Sequence, residues 1–141
     1  MNPNIDFSSS TPNQDKEKNG VWKEWSNGRD TIRLRLARAG NSNYPYRVRV
    51  EELTRSYRRG VTDLLQLPPD IQDKVTGQAY SEFIVKEWDS KSFGGLNAEN
   101  FSPEAVRYMF DKIPETLGWA VQEATSAANY LDDIMTAEAG N

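Results

Sequence analysis

The sequence predicts a mainly helical α+β domain, with an N-terminal β-hairpin packed on about four helices. Three observations predict it. Ile32, Leu34 and Leu36 alternate with Arg33 and Arg35, a period of two that marks a half-buried strand. After Gly40 the period changes: Tyr46, Val50, Leu53 and Tyr57 stand on one stripe of a helix. Two helix-start signals then follow, Pro68-Pro69-Asp70 and Ser102-Pro103-Glu104. A chain of 141 residues suits one domain with a single core.

Residues 1–19 are rich in Asn, Ser, Pro, Lys and Asp and offer no apolar stripe, so they read as a disordered arm. Val21-Trp22-Lys23-Glu24-Trp25 is an aromatic-rich strand, and Asn27-Gly28 after it is a strong hairpin signal. With residues 27–30 as the loop, Glu24 faces Arg33, Trp22 faces Arg35 and Trp25 faces Ile32. One face then carries Val21, Trp25, Ile32 and Leu36. The other sets Trp22 and Glu24 against the arginines, an arrangement suited to ion pairing and cation–π contact. A lone hairpin is marginal in water, so it must lean on the helices or on another subunit.

Ser42 or Asn43 caps the first helix, with Pro45 tolerated in its opening turn. That helix is expected to run to Arg58 or Arg59, with Gly60 just past its end. A short apolar connector fills residues 61–67. The second helix carries Ile71, Val75, Ala79 and Phe83 on one stripe, with Tyr80, Ile84 and Trp88 beside it. This wide face on about eighteen residues predicts the central core helix, anchored by Trp88. Residues 89–100, with Gly94-Gly95, read as a loop. Ala105, Val106, Met109, Phe110 and Ile113 form the buried side of the third helix. An Ala-rich last helix runs from Leu117 through Ala120, Val121 and Ala124 to Leu131. The expected organisation is therefore an arm at 1–19, one domain at 20–133 and a frayed tail at 134–141. The core residues are Ile71, Val75, Phe83, Ile84, Trp88, Phe110 and Leu117.

Composition narrows the function. With no cysteine there is no thiol chemistry, and with no histidine the commonest general base and transition-metal ligand are missing. Asp70 with Asp73, or Asp132 with Asp133, form the nearest thing to carboxylate pairs. Yet Asp70 sits at a helix start, where an acid favours the helix dipole. No Asp-rich calcium loop is present, and Gly94-Gly95 lacks the spacing and lysine of a phosphate loop. No apolar run approaches the roughly 18 residues of a membrane span. The expectation is a cytosolic binding protein without catalysis, cofactor or metal.

The net charge of −4 hides a split. Residues 21–60 carry ten basic side chains against four acidic ones, a balance of +6. Residues 61–141 carry five basic against fourteen acidic, a balance of −9. A basic block without a DNA-reading motif in an acidic chain points to a protein partner rather than to nucleic acid. Unlike patches on one domain also favour head-to-tail self-association, with Arg33, Arg35 and Arg38 on the basic side. Trp22, Arg58 and Arg59 complete the candidate contact residues.

The order of these elements resembles a known family. An aromatic hairpin leads into a strand ending Ala37-Arg38-Ala39-Gly40-Asn41. A helix ending Tyr57-Arg58-Arg59 follows, then a segment ending Glu87-Trp88-Asp89, then Phe101-Ser102-Pro103-Glu104-Ala105, then an Ala-rich helix ending Ala128-Asn129-Tyr130. Over about residues 20–133 this is similar to the tail assembly chaperones of long-tailed, non-contractile bacteriophages. The polar arm before Gly20 and Pro45 inside the first helix depart from that pattern. The resemblance implies a non-enzymatic protein that holds the tape measure protein soluble in the host cytoplasm. It also implies recruitment of tail tube protein and absence from the mature virion. Two other classes stand beside it: a structural head–tail or tail component retained in the particle, and a small nucleic-acid-binding adaptor.

Overall fold

A computed structural model describes residues 11–40, 42–89 and 100–132. Among these the chain forms α1 (Gln14–Asn19), β1 (Val21–Ser26), β2 (Thr31–Leu36), α2 (Tyr44–Tyr57), α3 (Pro69–Ala79), β3 (Val85–Trp88), α4 (Pro103–Lys112) and α5 (Pro114–Ala124). An N-terminal hairpin followed by helices is the architecture the patterning predicts. The hairpin register also matches, with Trp22 opposite Arg35, Glu24 opposite Arg33 and Trp25 opposite Ile32. Asn27 closes the loop: its side chain accepts from the amides of Arg29 and Asp30, and its amide donates to the Asp30 carbonyl.

The sheet has a third strand, in the order β1-β2-β3, antiparallel throughout. This corrects the eighteen-residue central helix. After Ala79 the helix widens into a single π turn over Tyr80–Ile84 and passes straight into β3. Leu34 pairs with Trp88 and Arg35 with Glu87, whereas Leu36 pairs with Val85, so Lys86 is bulged out of the ladder. The bulge turns Val85 and Trp88, three residues apart, both into the core. That spacing imitates a helical stripe, which is why periodicity reads helix here.

β2 is the middle strand, and Ile32, Leu34 and Leu36 are fully buried. They pack with Tyr80, Ile84, Val85, Trp88, Val106, Met109, Phe110, Ala120 and Ala124 in the main core. A second cluster under α2 joins Leu53, Leu67, Val75 and Ala79. Of the expected core residues, Val75, Ile84, Trp88 and Phe110 are buried, while Ile71, Phe83 and Leu117 are half-buried at its margin. Phe83 lies in the π turn, beyond the regular α-helical run of the Val75–Ala79 stripe.

Asn43 and Ser102 cap α2 and α4 through their side chains, and α3, α4 and α5 each start on a proline. α2 ends at Tyr57, one residue short of expectation, and Gly60 takes the left-handed conformation just beyond. α5 ends at Ala124, and Ala127–Tyr130 form a separate 3-10 turn rather than a helix continuing to Leu131.

The N-terminal arm also needs correcting. Within it, residues 14–19 form α1, capped by Asn13. The Asn13 amide donates to the Tyr130 carbonyl, the Asp132 amide donates to the Thr11 carbonyl, and Pro12 bridges Leu131. A polar segment with nothing to bury is held by backbone bonds and ion pairs, which hydrophobic patterning does not register. Residues 1–10, the tail at 134–141 and the Gly94-Gly95 loop lie outside the described residues.

Candidate partner-binding surface

The arginines of the basic block fall into two sets. The first set binds within the fold. Arg33 donates to Asp89 at 2.7 Å and sits 5.3 Å from the Trp22 ring centroid. Arg35 donates to Glu87 at 3.1 Å and to the Asn19 carbonyl at 2.7 Å. Arg38 donates to Glu17 at 3.0 Å, and its guanidinium lies 5.9 Å from the Tyr130 ring centroid. Arg49 grips Glu82 in the π turn through two nitrogens, at 2.7 and 3.2 Å, and reaches Glu52 at 3.2 Å. The Arg49 bond holds the Glu82 carboxyl below its ordinary value and pushes the guanidinium up. Each of these pairs except Arg49–Glu52 ties one element to another.

The contact residues expected from sequence divide between the two sets. Arg33, Arg35 and Arg38 join β2 and the segment after it to β3 and α1. Each bonds a carboxylate within the fold while its side chain stays partly exposed, at 43%, 31% and 25%. The register does set Glu24 opposite Arg33, but the carboxylate bonded to Arg33 is Asp89, at the end of the unforeseen β3. Trp22 remains 39% exposed on the outer face of the hairpin, with Arg33 over its ring.

The second set is on the surface. Tyr44, Arg47, Glu51, Arg55 and Arg58 recur at three- and four-residue steps, so they share one exposed stripe along α2 and its end. Arg47 lies 5.6 Å from the Tyr44 ring centroid. Among the described residues, no carboxylate comes within 4.0 Å of Arg47, Arg55, Arg58 or Arg59. Arg58 and Arg59, expected as contact residues, thus stay available where α2 ends.

Two depressions lie elsewhere. A cleft of about 520 Å³ between α1, the start of α2 and β3 has Phe83 and Pro45 at its wall and Lys18 and Lys86 at its rim. Partial burial, and then the nearby charges of Arg35 and Lys18, lower the Lys86 pKa. The larger is an open groove of about 840 Å³ between α3, α4 and α5. Tyr57, Phe110, Leu117 and Val121 supply its apolar surface, and Asp70, Asp73 and Asp111 stand at its rim with Lys74 and Arg107. At Gly118 an added Cβ would meet nothing within 4 Å, so the α5 backbone is bare there. Patterning along single helices does not reveal this groove, because residues of four helices, α2 to α5, line it. The one trace in sequence is that Leu117 and Val121 extend the apolar face of α5 beyond what its neighbours cover.

Among the described residues no group of three or more His, Cys, Asp or Glu side chains is placed to hold a metal. No described helix is long and apolar enough to cross a membrane. What the surface offers is charge-assisted hydrogen bonding along α2 and apolar burial in the groove.

Residues 39–141 match the model of a family described as YdaY prophage protein. The chain belongs to this prophage protein family. The match takes in Tyr57-Arg58-Arg59, Glu87-Trp88-Asp89 and Ser102-Pro103-Glu104, and leaves out the β1–β2 hairpin. No curated protein and no solved structure matches the chain.

Proposed function

We propose that this prophage protein is a tail assembly chaperone. It binds the tape measure protein in the host cytoplasm, keeps it soluble and helps recruit tail tube protein, without catalysing a reaction. It acts during assembly and leaves before the virion matures. The observation that carries the reading is the prophage family match, which covers most of the motifs on which the resemblance to tail chaperones rests. The exposed surfaces agree with it. Arginines on α2 and a groove with apolar walls are means of holding another protein, and the chain has neither histidine nor cysteine for the commoner kinds of catalysis.

The test is co-expression with the tape measure protein encoded by the same prophage. The chaperone reading expects that protein to move from the insoluble to the soluble fraction and to co-purify with this chain. It also expects mass spectrometry of purified virions to lack this chain. A tape measure protein equally insoluble with and without it would overturn the reading. Recovery of the chain from virions would favour the structural tail component instead.

A further inference from the structure

The internal ion pairs leave charge unspent in two separate places. On α2 and at its end the exposed charges of the stripe outside the ion pairs are Arg47, Glu51, Arg55 and Arg58, a balance of three basic to one acidic, with exposed Tyr44 against Arg47 at its head. In the groove between α3, α4 and α5, Asp70, Asp73 and Asp111 are exposed and outside the ion pairs, and they outnumber the basic Lys74 and Arg107 beside them. Tyr57 lines that groove from the end of α2. At about 100° per residue it lies roughly a third of a turn from the Arg47–Arg55 line. The stripe and the groove are therefore distinct surfaces of one chain.

We propose that the occupant of the groove is the α2 stripe of a second copy of this chain. From Tyr44 to Arg58 the stripe spans roughly 21 Å at 1.5 Å per residue, a helix-long ridge suited to a trough between helices. Tyr44 supplies an aromatic anchor for the apolar wall of Tyr57, Leu117 and Val121. Arg55 and Arg58 meet the carboxylates of Asp73 and Asp111. The bare backbone at Gly118 lets a neighbouring helix approach closely. The two surfaces differ, so the contact is head-to-tail and each added copy exposes a fresh stripe and a fresh groove. The partner is the same chain, so the inference does not depend on the chaperone reading.

The experiment uses the purified full chain with no other protein present. Sedimentation velocity at low salt is expected to show assemblies that grow with concentration and fall back to monomer as salt is raised. Two exposed double variants follow: Arg55→Glu with Arg58→Glu, and Asp73→Lys with Asp111→Lys. Each alone is expected to lose the assembly while keeping its circular dichroism spectrum and melting transition. Mixed in equal amounts they are expected to regain it, since the acidic stripe of one now fits the basic groove of the other. Should a double variant fail to melt cooperatively, the single changes Arg55→Glu and Asp73→Lys carry the same comparison. A wild-type chain that stays monomeric, assembly that ignores the reversals, or a mixture that stays monomeric would each overturn the proposal.

Discussion

Trp88 is the largest side chain with no exposed surface, and its ring meets Phe101 edge-on at 5.3 Å. It sits opposite Leu34, so it closes the main core against the middle strand. Trp88→Ala should destabilise the protein by about 3–5 kcal/mol, read as a lower midpoint in urea unfolding. A midpoint unchanged within error would contradict its place in the core. Tyrosines set the behaviour at high pH. Burial raises the pKa of Tyr46, Tyr80 and Tyr130 above the ordinary 10.0, and Tyr46 meets Tyr80 edge-on at 5.6 Å. The folded chain keeps these phenols protonated where the unfolded chain would ionise them. Their contribution to stability is therefore whole below pH 10 and declines as the pH climbs above it. The melting temperature should fall from pH 9.5 to pH 11, and Tyr80→Phe should make that fall shallower. An identical slope in the variant would mean that Tyr80 does not titrate with unfolding.

At the scale of elements, what sequence could foresee follows from how each element is held. The hairpin was legible to the register, because alternation and an Asn-Gly loop leave little choice. The starts of α2, α3 and α4 were legible because caps and prolines act locally. β3 was not. A bulge at Lys86 gave a strand the apolar spacing of a helix, and the pairing that decides the matter comes from Leu34, some fifty residues away in the chain. α1 was not legible either, since its six residues bury nothing fully. Glu17 binds Arg38, the Glu17 carbonyl accepts from the Arg38 amide, and Lys16 donates to the Leu131 carbonyl. These are long-range polar contacts that no local pattern announces. The internal partners of Arg33 and Arg35 are hidden in the same way: their acceptors Asp89 and Glu87 lie beside or within β3, which local pattern does not show.

At the scale of the whole molecule, the family match and the folding unit have different boundaries. The match begins at Ala39, after the hairpin, yet the core is centred on β2. Ile32, Leu34 and Leu36 have no exposed surface, and burying each such side chain contributes about 1.5–3 kcal/mol. Three of them together contribute about 4.5–9 kcal/mol, comparable with the lower half of the roughly 5–15 kcal/mol that keeps a whole domain folded. Removing residues 1–38 would also leave β3 without the strand it pairs with, Trp88 without Leu34, and the Ile84 carbonyl without the Ala37 amide. The segment 39–141 should therefore fail to form a cooperative structure by itself. Circular dichroism should show reduced signal and no sharp thermal transition, and a peptide of residues 20–38 added in excess should restore part of both. A fragment 39–141 that melts as sharply as the full chain would show that the helices carry the fold and that the hairpin merely rests on them.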